Sequence, residues 1–218
     1  MNPVRNSKSS GAKRTIIMRR KIIEISNGVK EKIPIEVSAR HIHLCQKDLG
    51  VLFGKRYKLK KLKNLFQPGQ FAAKEIIEVK GNSEKSLNFR VIGPVREETQ
   101  IELSKTDAIL LGINPPIRES GDIKGTPGAT LIGPKGRIKI KQGVINNWRH
   151  IHCNLKEAKA FGLKDKMLVS IKVNGLCSVT FHNVKVRVEK KSRFCLHLDT
   201  DEGNAANIKT KGEGEIII

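Results

Sequence analysis

The sequence predicts a mainly β protein with short helices, built as two related β-barrel domains. Hydrophobic residues make up 38% of the 218 residues, which is enough to bury a substantial core. Ile, Val and Leu recur in short runs separated by Gly, Pro and Asn, a pattern typical of short strands. Aromatic residues make up only 4%, so the predicted core is aliphatic. The prediction of two domains depends on an internal repeat.

A repeated tetrapeptide relates the two halves of the chain. Arg-His-Ile-His occurs at residues 40–43 and again at 149–152, and a short amphipathic segment follows each copy. The second segment begins at Asn154 with an acidic residue three positions later, as expected for a capped helix. Later in each half, residues 99–104 align with residues 194–199. Each half is therefore predicted to contain a strand, a short helix and a later strand.

The repeat also suggests domain boundaries. The first domain is expected to span residues 33–120 and the second residues 137–218. Residues 121–136 concentrate Gly and Pro and are predicted to be a connector. Residues 1–32 are expected to form an N-terminal tail and arm. Within it, the apolar residues of 15–25 can form one amphipathic face, which suits either packing or docking to a partner.

Several sequence features bear on the location of the protein. No stretch approaches the roughly 18 apolar residues that cross a bilayer, and the first residues lack the apolar run of a secretory signal. The cysteines are widely spaced without a Cys-x-x-Cys pair, so free thiols are expected in a reducing compartment. These features predict a cytoplasmic protein with no membrane segment.

The formal net charge of +21 is the most unusual bulk property of the chain. It suits either a polyanionic partner such as nucleic acid or a small, highly charged anion. Aromatic side chains that stack on bases are scarce here, which disfavours nucleic acid as a partner.

The repeated histidines predict two metal sites. In an extended strand, side chains two residues apart point to the same face with Cα atoms about 6.6 Å apart, so each histidine pair can converge on one ion. The aligned later strands nominate a third ligand in each half. Three ligands leave an open position on a tetrahedral zinc, as catalysis requires. The predicted ligand sets are His41, His43 and Glu102 in the first half and His150, His152 and His197 in the second.

Longer motifs occur in order between about Ile33 and Ile208. They are V-S-A-R-H-I-H-L (37–44), Q-P-G-Q-F-A-A (67–73), G-P-V-R-E-E-T-Q-I-E-L-S (93–104), T-D-A-I-L-L-G-I (106–113) and H-L-D-T-D-E-G-N-A-A (197–206). In these motifs the chain resembles the PduL-type phosphate propanoyltransferases, or phosphotransacylases. The resemblance implies two β-barrel domains, two zinc ions per chain, and reversible transfer of a propanoyl or acetyl group between coenzyme A and inorganic phosphate.

The resemblance also implies roles for individual residues and names the partners. Acyl-CoA, CoA, inorganic phosphate and acyl phosphate are the expected partners, and a homo-oligomer is left open. The six predicted metal ligands keep that role, and Arg96 is expected to bind phosphate. Residues at positions similar to those that hold CoA in the family are Val37, Ser38, Ala39, Arg90 and Asn204.

The chemistry of the reaction fits these residue types. Phosphate attacks a thioester poorly unless it is positioned and its charge is offset, and an Arg guanidinium presents a planar fork to two phosphate oxygens. No protein nucleophile is then required. Cys45 and Cys153 lie close to the histidine pairs, but buried thiols are the simpler interpretation of both. His182 lies outside the repeat motifs and is expected to be structural.

Two other functions compete with acyl transfer. One is a basic binding module whose histidines hold structural zinc, which would normally use four protein ligands rather than three. The other is a zinc hydrolase, which would need no dedicated phosphate fork. Microcompartment association is a further option, but the tract before Thr15 has no apolar face, so a free cytosolic enzyme is expected.

Overall fold

The computed structural model describes residues 31–217, which form fifteen strands and four short helices. The predicted arm at residues 15–25 lies outside the described residues. The strands are β1 (Lys32–Val37), β2 (His41–His43), β3 (Lys61–Asn64), β4 (Phe71–Lys80), β5 (Ser86–Gly93), β6 (Gln100–Glu102), β7 (Ile117–Arg118), β8 (Ala129–Ile132), β9 (Arg137–Ile140), β10 (Val144–Asn147), β11 (His150–Cys153), β12 (Leu168–Val173), β13 (Val179–Val188), β14 (Cys195–Leu198) and β15 (Lys211–Ile217). The helices are α1 (Gln46–Phe53), α2 (Lys105–Leu111), α3 (Leu155–Ala160) and α4 (Thr200–Ala205).

The strands form two sheets. Six of them close into a barrel in the order β1-β14-β11-β13-β12-β15, and β15 pairs back onto β1. The other nine form a curled sheet in the order β7-β10-β6-β2-β5-β4-β8-β9, with β3 added along β4. The prediction of a mainly β protein with short helices and two barrel-like domains is confirmed.

Each sheet encloses its own aliphatic core. The core of the nine-stranded sheet surrounds Phe89, and that of the barrel includes Ile171 and Val184. Ile42 of β2 and Ile101 of β6 enter the core, so the two histidines of β2 and Glu102 of β6 point away from it. The same alternation on β11 and β14 leaves the barrel histidines on its outer face.

Strand pairing divides the chain differently from the expected domain boundaries. Strand β1 falls within the expected first domain but lies in the barrel, parallel to β14 and antiparallel to β15. Strands β9 and β10 follow residue 136 but complete the nine-stranded sheet. The boundaries assumed that each half pairs with itself. Hydrogen bonding between strands is not local in sequence, and here the halves exchange strands at their ends.

The Gly- and Pro-rich stretch is not a simple connector, since it contains β8, which pairs with β4 and β9. Gly128 shows why glycine occurs here. A Cβ atom at this position would lie 2.0 Å from the carbonyl oxygen of Ile140, which is far inside contact distance. Gly128 therefore allows two strands to approach closely and does not serve as part of a flexible linker.

The repeat predicted from the sequence is visible in the pairing. Strand β2 lies between parallel β5 and antiparallel β6, and β11 lies between parallel β13 and antiparallel β14. The helix after each histidine strand also matches the prediction. Asn154 caps α3 in a capping box with Glu157, and the Cys45 side chain accepts from the backbone of Asp48 at the start of α1.

No helix within residues 31–217 has the length and apolar character needed to cross a membrane.

Candidate active site

The first candidate metal cluster lies in the middle of the nine-stranded sheet. His41 is directly opposite Glu102 across the antiparallel β2–β6 pair. The Nε2 atoms of His41 and His43 lie 3.5 and 3.7 Å from the two carboxylate oxygens of Glu102. One ligand atom from each side chain can be chosen so that all three lie within 4.8 Å of one another. The strand register therefore brings together the three residues predicted for the first half.

Backbone carbonyls orient both histidines of this cluster. The Nδ1 atom of His41 is 2.9 Å from the Ala39 carbonyl oxygen, and that of His43 is 3.1 Å from the Ile92 carbonyl oxygen. With Nδ1–H as the donor, each Nε2 carries the free lone pair and faces the cluster. Burial, and then the charge of His41, lower the pKa of His43 to about 3, so His43 is neutral at pH 7.

Glu102 is the most heavily hydrogen-bonded group of the cluster. Its Oε1 accepts from the Ser120 hydroxyl at 2.7 Å and from the Gln100 amide at 2.5 Å, and its Oε2 accepts from the Asn147 amide at 2.5 Å. Burial raises the pKa of Glu102, but the nearby His41 and His43, the Ser120 hydrogen bond and the charge of Arg96 outweigh it and lower the pKa to about 2. The carboxylate is therefore ionised and fixed in place.

The second candidate cluster lies on the outer face of the barrel. His150 is directly opposite His197 across the β11–β14 pair, and the Nε2 atoms of His150 and His152 are 3.0 Å apart. Ligand atoms of the three histidines can again be chosen within 4.8 Å of one another. Burial lowers the pKa of His150 to about 3 and that of His197 to about 4. The cluster consists of neutral imidazoles, the form that binds metal.

The second cluster has fewer orienting contacts. Nδ1 of His150 is 2.7 Å from the Trp148 carbonyl oxygen, so its Nε2 lone pair faces His152. Nδ1 of His152 is buried and has no hydrogen-bond partner among residues 31–217, and the nearest carboxylate oxygen, from Glu189, is 3.8 Å away. If Nδ1 of His152 carries the proton, two lone pairs meet at 3.0 Å, an arrangement that a cation between them would relieve.

Both clusters fit a zinc ion. Imidazole nitrogen and carboxylate oxygen are common zinc ligands, and each cluster offers three of them within reach of one ion. The Nε2 atoms of His150 and His152, 3.0 Å apart, are also close enough to bind one ion together.

Arg96 is held beside the first cluster by the loop after β5. Its backbone N–H donates to the Leu44 carbonyl, and its guanidinium donates to Ser120 Oγ at 2.9 Å. Ser120 in turn donates to Glu102, so the arginine is connected to the first cluster through one hydroxyl. Burial lowers the pKa of Arg96 while Glu102 opposes that shift, and a guanidinium remains charged in either case.

A second arginine lies near the same place. Arg187 on β13 is directly opposite His152 on β11, and its guanidinium donates to Glu189 at 2.8 Å. Burial is the largest cause that lowers the pKa values of Arg96 and His152, and the positive charge of Arg187 lowers both further. Two cationic forks therefore lie close to the two clusters.

The two clusters border one cleft between the barrel and the nine-stranded sheet. The cleft holds about 310 Å³, including space open to solvent. Its lining includes Ser38, Ala39, His41, Glu102, Asn147, Trp148, His150 and His197. A molecule in this cleft would therefore contact both halves of the repeat at once.

Comparison with known proteins identifies the family. The sequence profile of the phosphate propanoyltransferases matches residues 34–209. The chain belongs to the phosphate propanoyltransferase family. It is 48% identical over 179 residues to the phosphate propanoyltransferase of Thermotoga maritima, covering 82% of this chain and 85% of that protein. It is 46% identical to that of Lachnoclostridium phytofermentans (81% and 83% covered) and 41% identical to that of Sebaldella termitidis (92% and 95% covered).

Family membership makes this chain an acyltransferase that uses CoA and phosphate as substrates. Of the five residues expected to hold CoA, Ser38 and Ala39 line the cleft. Val37 lies in β1 against Gly203 of α4, and Arg90 donates to the Ala73 carbonyl at 2.8 Å. Asn204 is exposed on α4.

Several residues of the site were missed by the sequence reasoning. Ser120, Gln100 and Asn147 all donate to Glu102, yet none belongs to a metal-ligand motif. Asn147 had a signal that was not used, because it occupies the place in the second repeat that Ser38 occupies in the first, and both line the cleft. Ser120 is brought to Glu102 by the loop after β7, which sequence spacing does not reveal.

All four cysteines are free thiols, as predicted. Cys153 packs in the barrel core, and burial raises its pKa to about 11. Cys45 caps α1. His182, expected to be structural, lies 2.8 Å from the Ser170 hydroxyl on the barrel surface.

Proposed function

We propose that this protein transfers a propanoyl or acetyl group between CoA and inorganic phosphate at two zinc ions, with Arg96 binding the phosphate. His41, His43 and Glu102 would hold one ion, and the second would be held by His150, His152 and His197. The observation that supports this most strongly is that the two clusters border the same cleft. A bound zinc ion would supply Lewis acidity to the thioester carbonyl.

Arg96 is suited to bind phosphate. Its guanidinium has five N–H donors, and one donor contact, to Ser120, already fixes its direction. The others can form a planar two-point contact with phosphate oxygens. That contact aligns the attacking oxygen and strengthens as negative charge develops in the transition state.

Two of the residues proposed for CoA, Ser38 and Ala39, line the cleft. Ser38 and Ala39 lie at its edge, between β1 of the barrel and β2 of the nine-stranded sheet. We propose that they contact CoA near the thioester, while Val37, Arg90 and Asn204 contact parts farther from the reacting atoms. The surplus of positive charge on the chain would attract both CoA and phosphate, which are anionic.

The decisive assay follows CoA release from propanoyl-CoA and acetyl-CoA, with and without inorganic phosphate. The proposal predicts release that depends on phosphate, yields acyl phosphate, and disappears when metal is removed by a chelator and returns with zinc. Release without phosphate would instead indicate a hydrolase. Tight, salt-sensitive binding of RNA or DNA with no release would indicate a basic binding module.

We propose that the protein works in the cytoplasm. Four free thiols suit the reducing cytoplasm.

A further inference from the structure

A further group of metal-binding side chains lies on the barrel, on the β1 side of His197. It consists of Glu36 on β1 and of Cys195 and His197 on β14. One ligand atom from each lies within 4.8 Å of the other two. Unlike the two clusters at the cleft, this group includes a sulfur atom.

The strand register explains why these side chains meet. Glu36 is directly opposite His197 in the parallel β1–β14 pair, and Cys195 precedes His197 by two residues on the same strand. Leu196, Leu198 and Ile35 alternate with them and enter the barrel core. All three ligand candidates therefore point away from the barrel core; Cys195 is fully buried, whereas Glu36 and His197 are partly exposed.

His197 is shared between this group and the second histidine cluster. Along the barrel it has Glu36 on one side and His150 on the other. Its Nε2 is buried, has no hydrogen-bond partner among residues 31–217, and lies 3.9 Å from Glu36 Oε2. When Nε2 of His197 carries the lone pair rather than the ring proton, it can bind a cation on the Glu36 side.

We propose that Glu36, Cys195 and His197 form an inhibitory site for a thiophilic divalent ion, which competes with the catalytic arrangement for His197. Binding would form a metal–sulfur bond as the Cys195 thiol releases its proton to water. Glu36 and the resulting thiolate would neutralise the ion. Its occupation would draw His197 away from His150 and His152.

One cation already lies near this group. Lys211 Nζ is 3.7 Å from Glu36 Oε1, and its side chain is 75% exposed. An exposed lysine can turn toward solvent at little cost, so it does not block the site. The ion would enter past Glu36 and His197, whose side chains keep about a quarter and a fifth of their surface exposed.

The sulfur atom provides a test that separates this site from the cleft. The two clusters at the cleft contain only nitrogen and oxygen donors, so a thiolate-to-metal charge-transfer band cannot arise from them. The zinc-loaded full chain would be titrated with Cd²⁺ while ultraviolet absorbance and acyl transfer are followed together. We expect the thiolate–cadmium band to appear in step with loss of activity.

Cys195→Ser should abolish the band. Because the sulfur ligand is lost, it should also raise the Cd²⁺ concentration for half-inhibition at least about tenfold. Cys177→Ser, which changes an exposed thiol, and Cys45→Ser should behave as wild type. Glu36→Gln provides a second variant if Cys195→Ser fails to fold, and should weaken the band. A band that survives Cys195→Ser, or inhibition with no band, overturns the site.

The inhibition, but not the binding, rests on the proposed catalytic role of His197. A full band with undiminished activity would therefore overturn the inhibitory role and count against His197 as a catalytic-site ligand. It would leave the phosphate dependence of the reaction, tested separately, unaffected.

Discussion

The two metal clusters occupy equivalent places in the repeat but are supported differently. In the first, both histidines are oriented by backbone carbonyls, and Glu102 accepts three side-chain hydrogen bonds. In the second, only His150 is oriented in this way, and the other two rings each have a buried nitrogen without a partner among residues 31–217.

This difference shows how one strand pattern can support two kinds of site. The first cluster contains a charge, and the protein supplies donors that fix that charge before any metal binds. The second contains three neutral rings packed edge to face, with centroids 4.6 to 5.4 Å apart. We infer that the first site is preorganised, whereas the second acquires its final geometry from the metal.

The largest expected effect comes from removing a ligand. His41→Ala or His150→Ala leaves two protein ligands at one site, and the lost Lewis acidity should lower the rate on the order of a thousandfold, or about 4 kcal/mol. Acyl transfer and bound metal would be measured on the same preparations. Full activity in either variant would show that its cluster takes no part in catalysis.

Arg96→Ala should cost about 3 kcal/mol, or roughly a hundredfold in rate, because a charge-assisted two-point contact with phosphate is lost. Arg96→Lys should restore only part of it, since a point charge lacks the planar fork. Initial rates would be measured against phosphate concentration. Both variants should retain metal and CoA binding. Wild-type phosphate dependence in Arg96→Ala contradicts the role, and metal loss would indicate a structural one.

A smaller effect is expected from Glu189, which faces the unpartnered Nδ1 of His152 and is held by Arg187 and Ser192. A carboxylate that accepts from a ligand histidine strengthens its metal binding. Glu189→Gln should therefore weaken zinc at the second site by about tenfold, measured by competition with a chelator.

Glu213→Gln is the matched control for Glu189→Gln. It changes an exposed glutamate that pairs with Lys32 and is not one of the predicted metal ligands. Equal zinc affinity in Glu189→Gln and Glu213→Gln would show that Glu189 does not support His152 as a ligand.

The smallest expected effect is on stability and comes from Glu202, which pairs with the arginine that precedes the second histidine pair. Arg40 pairs with Asp107 in the first half, and Arg149 with Glu202 at 3.0 Å in the second. Burial raises the pKa of Glu202 from 4.5 to about 7. The unfolded chain therefore releases this proton at a lower pH than the folded protein does, so Glu202 lowers stability as pH rises from about 4.5 to 7.

Glu202→Gln mimics the protonated side chain and keeps an acceptor for the Asp199 N–H of the capping box. It should match wild-type stability near pH 4.5 and exceed it by about 1–2 kcal/mol above pH 7. Denaturant unfolding at both pH values measures this. Identical pH dependence in the two proteins would mean that Glu202 ionises normally when folded.

The sequence was most informative where a short motif is repeated in both halves of the chain. The register that places His41 opposite Glu102 also places His150 opposite His197, so aligning the halves nominated both third residues correctly as neighbours. The short helices followed from local capping signals such as Asn154. Such features depend on neighbours in the chain, which a sequence displays directly.

Other features depended on contacts that are distant in sequence. Strand β1 closes the barrel by pairing with β14 and β15, although it directly precedes the first histidine pair. Ser120 reaches Glu102 from a loop, and Glu189 approaches His152 from the strand beside it. Neither follows from spacing, because each requires the three-dimensional path of another strand to be known.

The central claim is that each half of the repeat holds its own metal ion. Metal analysis of protein never exposed to chelator, in the wild type and in His41→Ala and His150→Ala, tests it most directly. The account predicts about two zinc ions per chain in the wild type and about one in each variant, because each cluster supplies a separate set of three ligands. Less than one ion per chain in the wild type would contradict it.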